Sequence, residues 1–259
     1  MLLEQFDHGG AVLNPCDLVK PVKNFPKLCI GSFSQKITEK LLERQDVKKI
    51  AALTPSFGEN PIFQTVYKGT PIAFYTSFPG AAACICGMED VFAMGAEVFL
   101  FLGSCGVLDR SLQPGSILIP QTAVRDEGTS YHYQEASDEI DLDSISVETI
   151  ELCARHMEIP CARVKTWTTD ALYRETRTKV ERRKAQGCRT VDMECSALAA
   201  ASRFRGAVFG EFFYAADNLD AVLWEERGLR GHGASKAEAY AALALESVWK
   251  IAQRRIKQE

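Results

Sequence analysis

Seven short apolar runs, rich in β-branched and aromatic residues, recur along this chain with stretches of helical spacing between them. The runs are KLCI (27–30), KIAALT (49–54), TPIAFYT (70–76), EVFLFL (97–102), SILIP (116–120), CARVKTWT (161–168) and GAVFGEFFY (206–214). Helical patterns fall near 34–45, 80–95, 144–157, 174–186, 192–204 and 233–256. Strands alternating with helices bury both faces of a sheet, so the pattern predicts an α/β fold with a mostly parallel sheet covered on two sides. No low-complexity linker or internal repeat interrupts the alternation, and residues 1–259 are expected to form one domain. With 46% hydrophobic residues, the chain can bury a large core.

Charge and cysteine usage narrow the classes of partner. A net charge of -4 supplies no basic field for a phosphate backbone, which argues against nucleic acid. The basic cluster RETRTKVERRK (174–184) reads as a solvated helix face. No run of about 18 apolar residues occurs, and MLLEQFDHGG lacks the basic-then-apolar order of a signal peptide, so a cytoplasmic protein without a membrane partner is expected. The nine cysteines lie mostly in apolar strings such as AAACICGM, as reduced, buried thiols do. Neither Cys84-x-Cys86 nor Cys153-x2-His156-x4-Cys161 has paired zinc spacing, and no metal site is expected.

One stretch raises a chemical problem. TVDMECSALAA (190–200) is apolar enough to be buried, yet it carries Asp192 and Glu194 on either side of Met193. A buried, unpaired carboxylate is costly, so a partner must meet each one. A helix start, with Thr190 or Asp192 as N-cap and Glu194 in the first turn, would answer part of the problem.

In sheets of this kind ligands gather at the carboxyl ends of strands, which selects four places. EVFLFL runs into GSCGVL (103–108), where glycines permit close approach and Ser104 offers a hydroxyl and an amide. KLCI runs into GSFSQK (31–36), a helix start whose free amides favour an anion. TWTTDALY (166–173) presents Trp167 as a stacking face or, equally, as a core residue beside an Asp cap. FFYAADNLD (212–220) ends an apolar strand in Asp217, whose partly desolvated carboxyl would hold its proton and serve as a general acid, or else form an Asx turn.

Taken in order, GSCG after a strand, PGSILIPQTAVRDEGTSYHY (114–133), TTDALY, VDMECSAL and a strand ending in Asp217 resemble the nucleoside phosphorylase/nucleosidase superfamily. It includes hexameric purine nucleoside phosphorylases, uridine phosphorylases and methylthioadenosine/S-adenosylhomocysteine nucleosidases. The likeness runs from about residue 27 to 256 and implies a three-layer-like domain. Its central, mixed, twisted sheet would be partly closed into a distorted barrel and flanked by helices. It also implies that Glu194 accepts hydrogen bonds from the ribose hydroxyls and that Met193 packs on the sugar. Val191 and Trp167 would line the base site, with Asp192, Ser104, Cys105 and Gly106 beside them and Phe78 near the sugar. Asp217 would protonate the departing base. No cofactor is implied; phosphate would be the co-substrate. A homo-oligomer, a dimer or a trimer of dimers, would bring His8 to a neighbour's 5′-hydroxyl.

The resemblance departs from the family pattern at the anion. The phosphorylases carry G-D-P-x-R at the first glycine loop and an arginine two residues before the second, whereas this chain has Gln35 and Phe101. Without the two guanidinium forks, the phosphate contacts left are Arg125, Lys36 and the amides at Gly31 and Ser104. The short spacing of 174–190 between TTDALY and VDMECSAL is of the purine type. Phosphorolysis of a purine nucleoside therefore leads, with hydrolytic nucleosidase, uridine phosphorylase and a non-catalytic nucleoside-binding protein as alternatives.

Overall fold

The computed structural model describes residues 6–56 and 58–256. Its order of elements is α1 (Pro15–Leu18), β1 (Leu28–Ser32), α2 (Gln35–Leu42), β2 (Lys48–Leu53), β3 (Asn60–Tyr67), β4 (Thr70–Thr76), α3 (Ala81–Met94), β5 (Val98–Val107) and β6 (Ile117–Asp126). There follow β7 (Glu139–Asp141), α4 (Ser144–His156), β8 (Cys161–Thr169), α5 (Arg177–Ala185), β9 (Cys188–Asp192), α6 (Cys195–Arg205), β10 (Val208–Asn218) and α7 (Ala237–Ile256). All the described strands share one sheet, with helices packed on it.

The sheet is mixed, as the resemblance implies, and less parallel than the bare alternation predicts. β1 pairs in parallel with β4 and β5, β5 with β10, and β8 with β6 and β9. β3 runs antiparallel between β2 and β4, and it was not expected. Its residues NPIFQTVY are polar at several positions because the strand is half-buried near the sheet edge. The turn into β4 has Lys68 and Gly69 at φ 49 and 78, the two left-handed residues of a tight hairpin.

Strands β5, β10, β6, β8 and β9 pair in a ring that is only partly closed. The seam between β10 and β6 holds through Phe213↔Leu118 and Tyr214↔Ile117, and that between β5 and β9 through Gly106↔Val191 and Val107↔Thr190. One large core fills the space between sheet and helices, and a second, smaller cluster of Leu108, Val124, Trp167, Val180, Cys188 and Val191 sits outside the ring. All nine cysteines are free, and no described helix is long and apolar enough to cross a membrane.

Candidate active site

The carboxyl ends of β5, β9 and β10 converge on a cavity of about 190 Å³. Ser104, Cys105, Gly106, Val191, Asp192, Met193, Glu194 and Asp217, all singled out in the sequence, line it. The strands run further than expected, so GSCG belongs to β5 instead of a turn, and Asp217 lies within β10. What the glycines supply is room. A Cβ on Gly106 would stand 2.8 Å from both Val191 and Leu219, and one on Gly103 would stand 3.0 Å from Phe33.

The two carboxyls around Met193 have separate solutions. Asp192 is buried at the end of β9, where one oxygen accepts from the Thr166 and Thr168 hydroxyls at 2.8 and 3.0 Å. Its other oxygen accepts from the Glu194 and Cys195 amides at 2.8 and 2.7 Å, tying down the first turn of α6. The helix begins two residues later than Asp192 would place it, with Glu194 as the N-cap residue. One Glu194 oxygen accepts from the Gly80 amide at 2.5 Å, and the Met193 backbone N–H also acts on the carboxyl. Burial and the nearby Asp192 charge push its carboxyl up to about 8. The carboxyl lines the cavity and so meets whatever enters it.

Asp217 lines the same cavity from β10 and is buried, and desolvation raises its carboxyl above the ordinary range. The Trp224 indole N–H donates to Oδ2 at 2.8 Å and partly opposes that rise. Trp224 belongs to the segment after β10, which arches over the site and adds Leu229 to the lining. Arg177 grips this segment at the carbonyls of Leu219 and Ala221, at 3.4 and 2.6 Å, and at that of Val222. Lys184 and Arg110 bind Asp220. The basic cluster therefore has work beyond a solvated face. Arg183 also pairs with Asp126 at 2.9 Å and stacks on Trp167.

Several expected residues lie elsewhere. Trp167 is wholly buried in the second apolar cluster, donates to Asp126 at 2.9 Å and backs Val191 from behind, so it offers no stacking face. Phe78 packs against Gly87 of α3, and its neighbour Pro79 lines the cavity. His8 is exposed in a separate groove, 3.6 Å from the Glu135 carboxylate.

The expected anion contacts are also displaced. Arg125 is buried and gives its guanidinium to the loop that follows it: to Ser130 and Ser137 hydroxyls at 2.9 and 2.8 Å, and to Glu135 and Gln134 carbonyls at 2.7 and 3.2 Å. Its planar face lies 4.1 Å from the Tyr131 ring. It is a loop anchor, and the reading of Arg125 as a phosphate ligand is corrected. Lys36 is exposed and pairs with Glu39 at 3.0 Å. Gly31 lies under the Phe101 ring, which would stand 2.4 Å from a Cβ there. That ring sits among Phe33, Tyr75, Phe99 and Phe209.

Residues outside the sequence reading complete the wall: Phe33, Pro79, Leu172, Glu175, Phe213 and Leu229. Glu175 stands out among them. Its carboxyl shows no hydrogen bond or ion pair among the described residues, and burial with the Asp217 and Asp192 charges pushes it up to about 8. The lining thus holds four carboxyl groups, Glu175, Asp192, Glu194 and Asp217, and no lysine, arginine or histidine among the described residues.

Comparison with known proteins agrees with this architecture. The profile of the Phosphorylase superfamily matches residues 30–247. An uncharacterised protein of Acanthamoeba polyphaga mimivirus is 26% identical over 154 residues, 60% of each chain, so the match spans under two thirds of that relative's length. Among solved structures, uridine phosphorylase from Vibrio fischeri superposes with a TM-score of 0.76 at 22% identity, covering 95% of this chain and 100% of that one. AMP nucleosidase from Bacteroides thetaiotaomicron superposes with a TM-score of 0.73 at 16% identity, covering 90% and 92%. At such identities the superpositions speak to fold, while the profile match covers most of the chain: it belongs to the phosphorylase superfamily of nucleoside phosphorylases and nucleosidases.

Proposed function

We propose that this protein cleaves the N-glycosidic bond of a purine-type nucleoside and transfers the sugar to water. The observation that carries the reading is the lining itself: the Asp217 and Glu194 carboxyls face one cavity, with no lysine, arginine or histidine beside them among the described residues. Bond breaking leaves positive charge on the sugar and negative charge on the base. Asp217, whose hold on its proton burial strengthens, gives that proton to the purine at N7 and neutralises the leaving group, an effect of about 10² to 10⁴ in rate. Glu194 takes the ribose hydroxyls on its carboxylate and stabilises the cationic sugar electrostatically. Water adds to C1′, and the proton it sheds restores the acid over the cycle.

Phosphorolysis, which the sequence departures already weakened, has the fold likeness to a phosphorylase in its favour. Against it, a phosphate dianion needs charge-assisted donors, and it would meet four carboxyls here, with Phe101 where an arginine is expected and Arg125 committed elsewhere. The homo-oligomer belongs to the same proposal, with His8 able to serve only a neighbour's cavity because it lies outside its own.

The test is product analysis with inosine, adenosine, guanosine and uridine, each with and without phosphate. Free ribose at a rate indifferent to phosphate is expected. Ribose 1-phosphate formed in step with free base would overturn the hydrolytic assignment, and binding without any base release would favour a nucleoside-binding protein.

A further inference from the structure

The large apolar side chains left exposed on this protein are not spread evenly. Leu172 and Tyr173 follow β8, and Val222, Leu223 and Trp224 follow β10, with exposures from 44% to 95%. The fold brings the two stretches together, because Arg177 at the start of α5 binds the carbonyls of Leu219, Ala221 and Val222. Two of the five side chains also belong to the candidate site. Leu172 lines the cavity and is still 44% exposed, and Trp224 donates to Asp217 while 52% exposed. The patch is thus the outward continuation of the cavity wall at its Asp217 end. Contiguous apolar surface of this kind, left in water at the mouth of a cavity, marks a place where a ligand lies.

Position identifies the occupant. In the cleavage proposed above, N7 of the base meets Asp217, and the group that projects beside N7, away from the sugar, is the substituent on C6. From Asp217 that substituent heads for the other group held there, the Trp224 indole, and so for the opening between Leu172 and residues 222–224. We infer that the preferred substrates carry an apolar group on the 6-position of the base, as in N6-alkyl or N6-aralkyl adenine ribosides, and that this group lies on Leu172, Tyr173, Leu223 and Trp224. The inference rests on the reading of the cavity as a purine nucleoside site. The cavity, about 190 Å³, is small for a ligand site, so a bulky substituent must leave through the mouth and cannot fold back inside. Outside it meets two aromatic faces and aliphatic side chains, which gain up to about fourfold in affinity for each methylene they withdraw from water. The leaving group is then the 6-substituted base, and the Asp217 proton still goes to N7.

The experiment compares kcat/KM for adenosine, N6-hexyladenosine, N6-benzyladenosine and N6-[2-(2-hydroxyethoxy)ethyl]adenosine, which matches the hexyl chain in length but is polar. The wild type is expected to favour the hexyl and benzyl nucleosides over adenosine by about tenfold or more, mostly through KM, and to show little of that gain with the polar chain. Tyr173→Ser and Leu223→Ser alter exposed side chains, and melting temperature checks that both fold. Each should reduce the hexyl-to-adenosine ratio by about threefold to tenfold, and the double variant further. A hexyl nucleoside no better than adenosine, a polar chain as good as hexyl, or an unchanged ratio in the double variant would overturn the inference while leaving nucleoside cleavage intact. Sedimentation of the same variants tests a second copy as the occupant: an oligomer that dissociates in Leu223→Ser, with the ratio unmoved, makes the patch a contact between copies and refutes the substrate role.

If no nucleoside is cleaved, the reading of the site as catalytic fails separately. Calorimetry with free bases then decides the role of the patch. N6-benzyladenine binding more tightly than adenine, with the difference reduced in the double variant, supports it, and equal affinities refute it.

Discussion

Replacing Glu194 by glutamine should make the protein more stable and a much poorer catalyst. In the folded chain the carboxyl is pushed up to about 8, against an ordinary value of 4.5, because burial and the Asp192 charge outweigh the backbone N–H groups of Gly80 and Met193 that lower it. A carboxyl whose folded value is raised binds its proton more tightly when folded, so unfolding releases it into ionisation and stability falls as pH climbs between the two values. At one pH unit per 1.36 kcal/mol, the burden is about 3 kcal/mol at pH 7 and levels off near 5 kcal/mol above pH 8. Glutamine has no charge to desolvate and keeps an oxygen for the Gly80 amide, so it removes the burden. Urea unfolding of the ligand-free protein from pH 4.5 to 9 should therefore give curves that nearly meet at the acid end and diverge steadily to pH 8, the variant above. Turnover should drop by about 10²-fold or more, since the ribose hydroxyls and the cationic sugar lose their anion. Parallel stability curves, or a variant less stable than the wild type at pH 8, would refute the assignment of Glu194 as a residue held ready for substrate.

Asp217→Asn is expected to lower kcat for purine nucleosides by about 10² to 10⁴ and to spare ribosides whose leaving group needs no proton, such as a nitrophenyl riboside; equal losses on both would count against the acid role. Trp224→Phe removes a donor that lowers the Asp217 value, so the alkaline limb of the kcat profile, where the acid loses its proton, should move to higher pH. A shift the other way would contradict the Trp224 contact. Arg125→Ala leaves the Ser130 and Ser137 hydroxyls and two carbonyls without their buried donor and should cost about 2 to 3 kcal/mol in urea unfolding. It should not alter the response to phosphate, and a variant that abolished a phosphate requirement would restore Arg125 to the anion site.

How much of this was legible in the sequence differs by residue, and the differences have physical causes. The strands that carry the site read clearly because they are buried on both faces and so appear as unbroken apolar runs, as in EVFLFL and GAVFGEFFY. β3 and β9 did not, one being half-buried and partly polar, the other only five residues long. Asp192 and Glu194 were conspicuous because charge in an apolar string demands an explanation, although the sequence left open which of them served the helix. Trp167 stayed open between a stacking face and a core residue because an indole at a strand end looks the same whether it faces a ligand or the Val191 backing, and only the three-dimensional packing of Arg183 and Val180 around it decides for the core.

Glu175 was hidden for a related reason: it sits in RETRTKVERRK, where one acid among many bases reads as a surface ion pair. The fold separates it from those bases. Arg177 turns to the carbonyls of the segment after β10 and Lys184 to Asp220, which holds that segment, while Arg183 pairs with Asp126 at the end of β6. With Phe101 packed on Gly31 and Arg125 spent on its own loop, the titratable groups facing the ligand among the described residues are carboxyls, all of them raised by burial. A cavity built this way stabilises a cationic sugar and receives donor groups, and it opposes a dianion. That electrostatic sign, more than any single motif, is what the proposed transfer to water rests on.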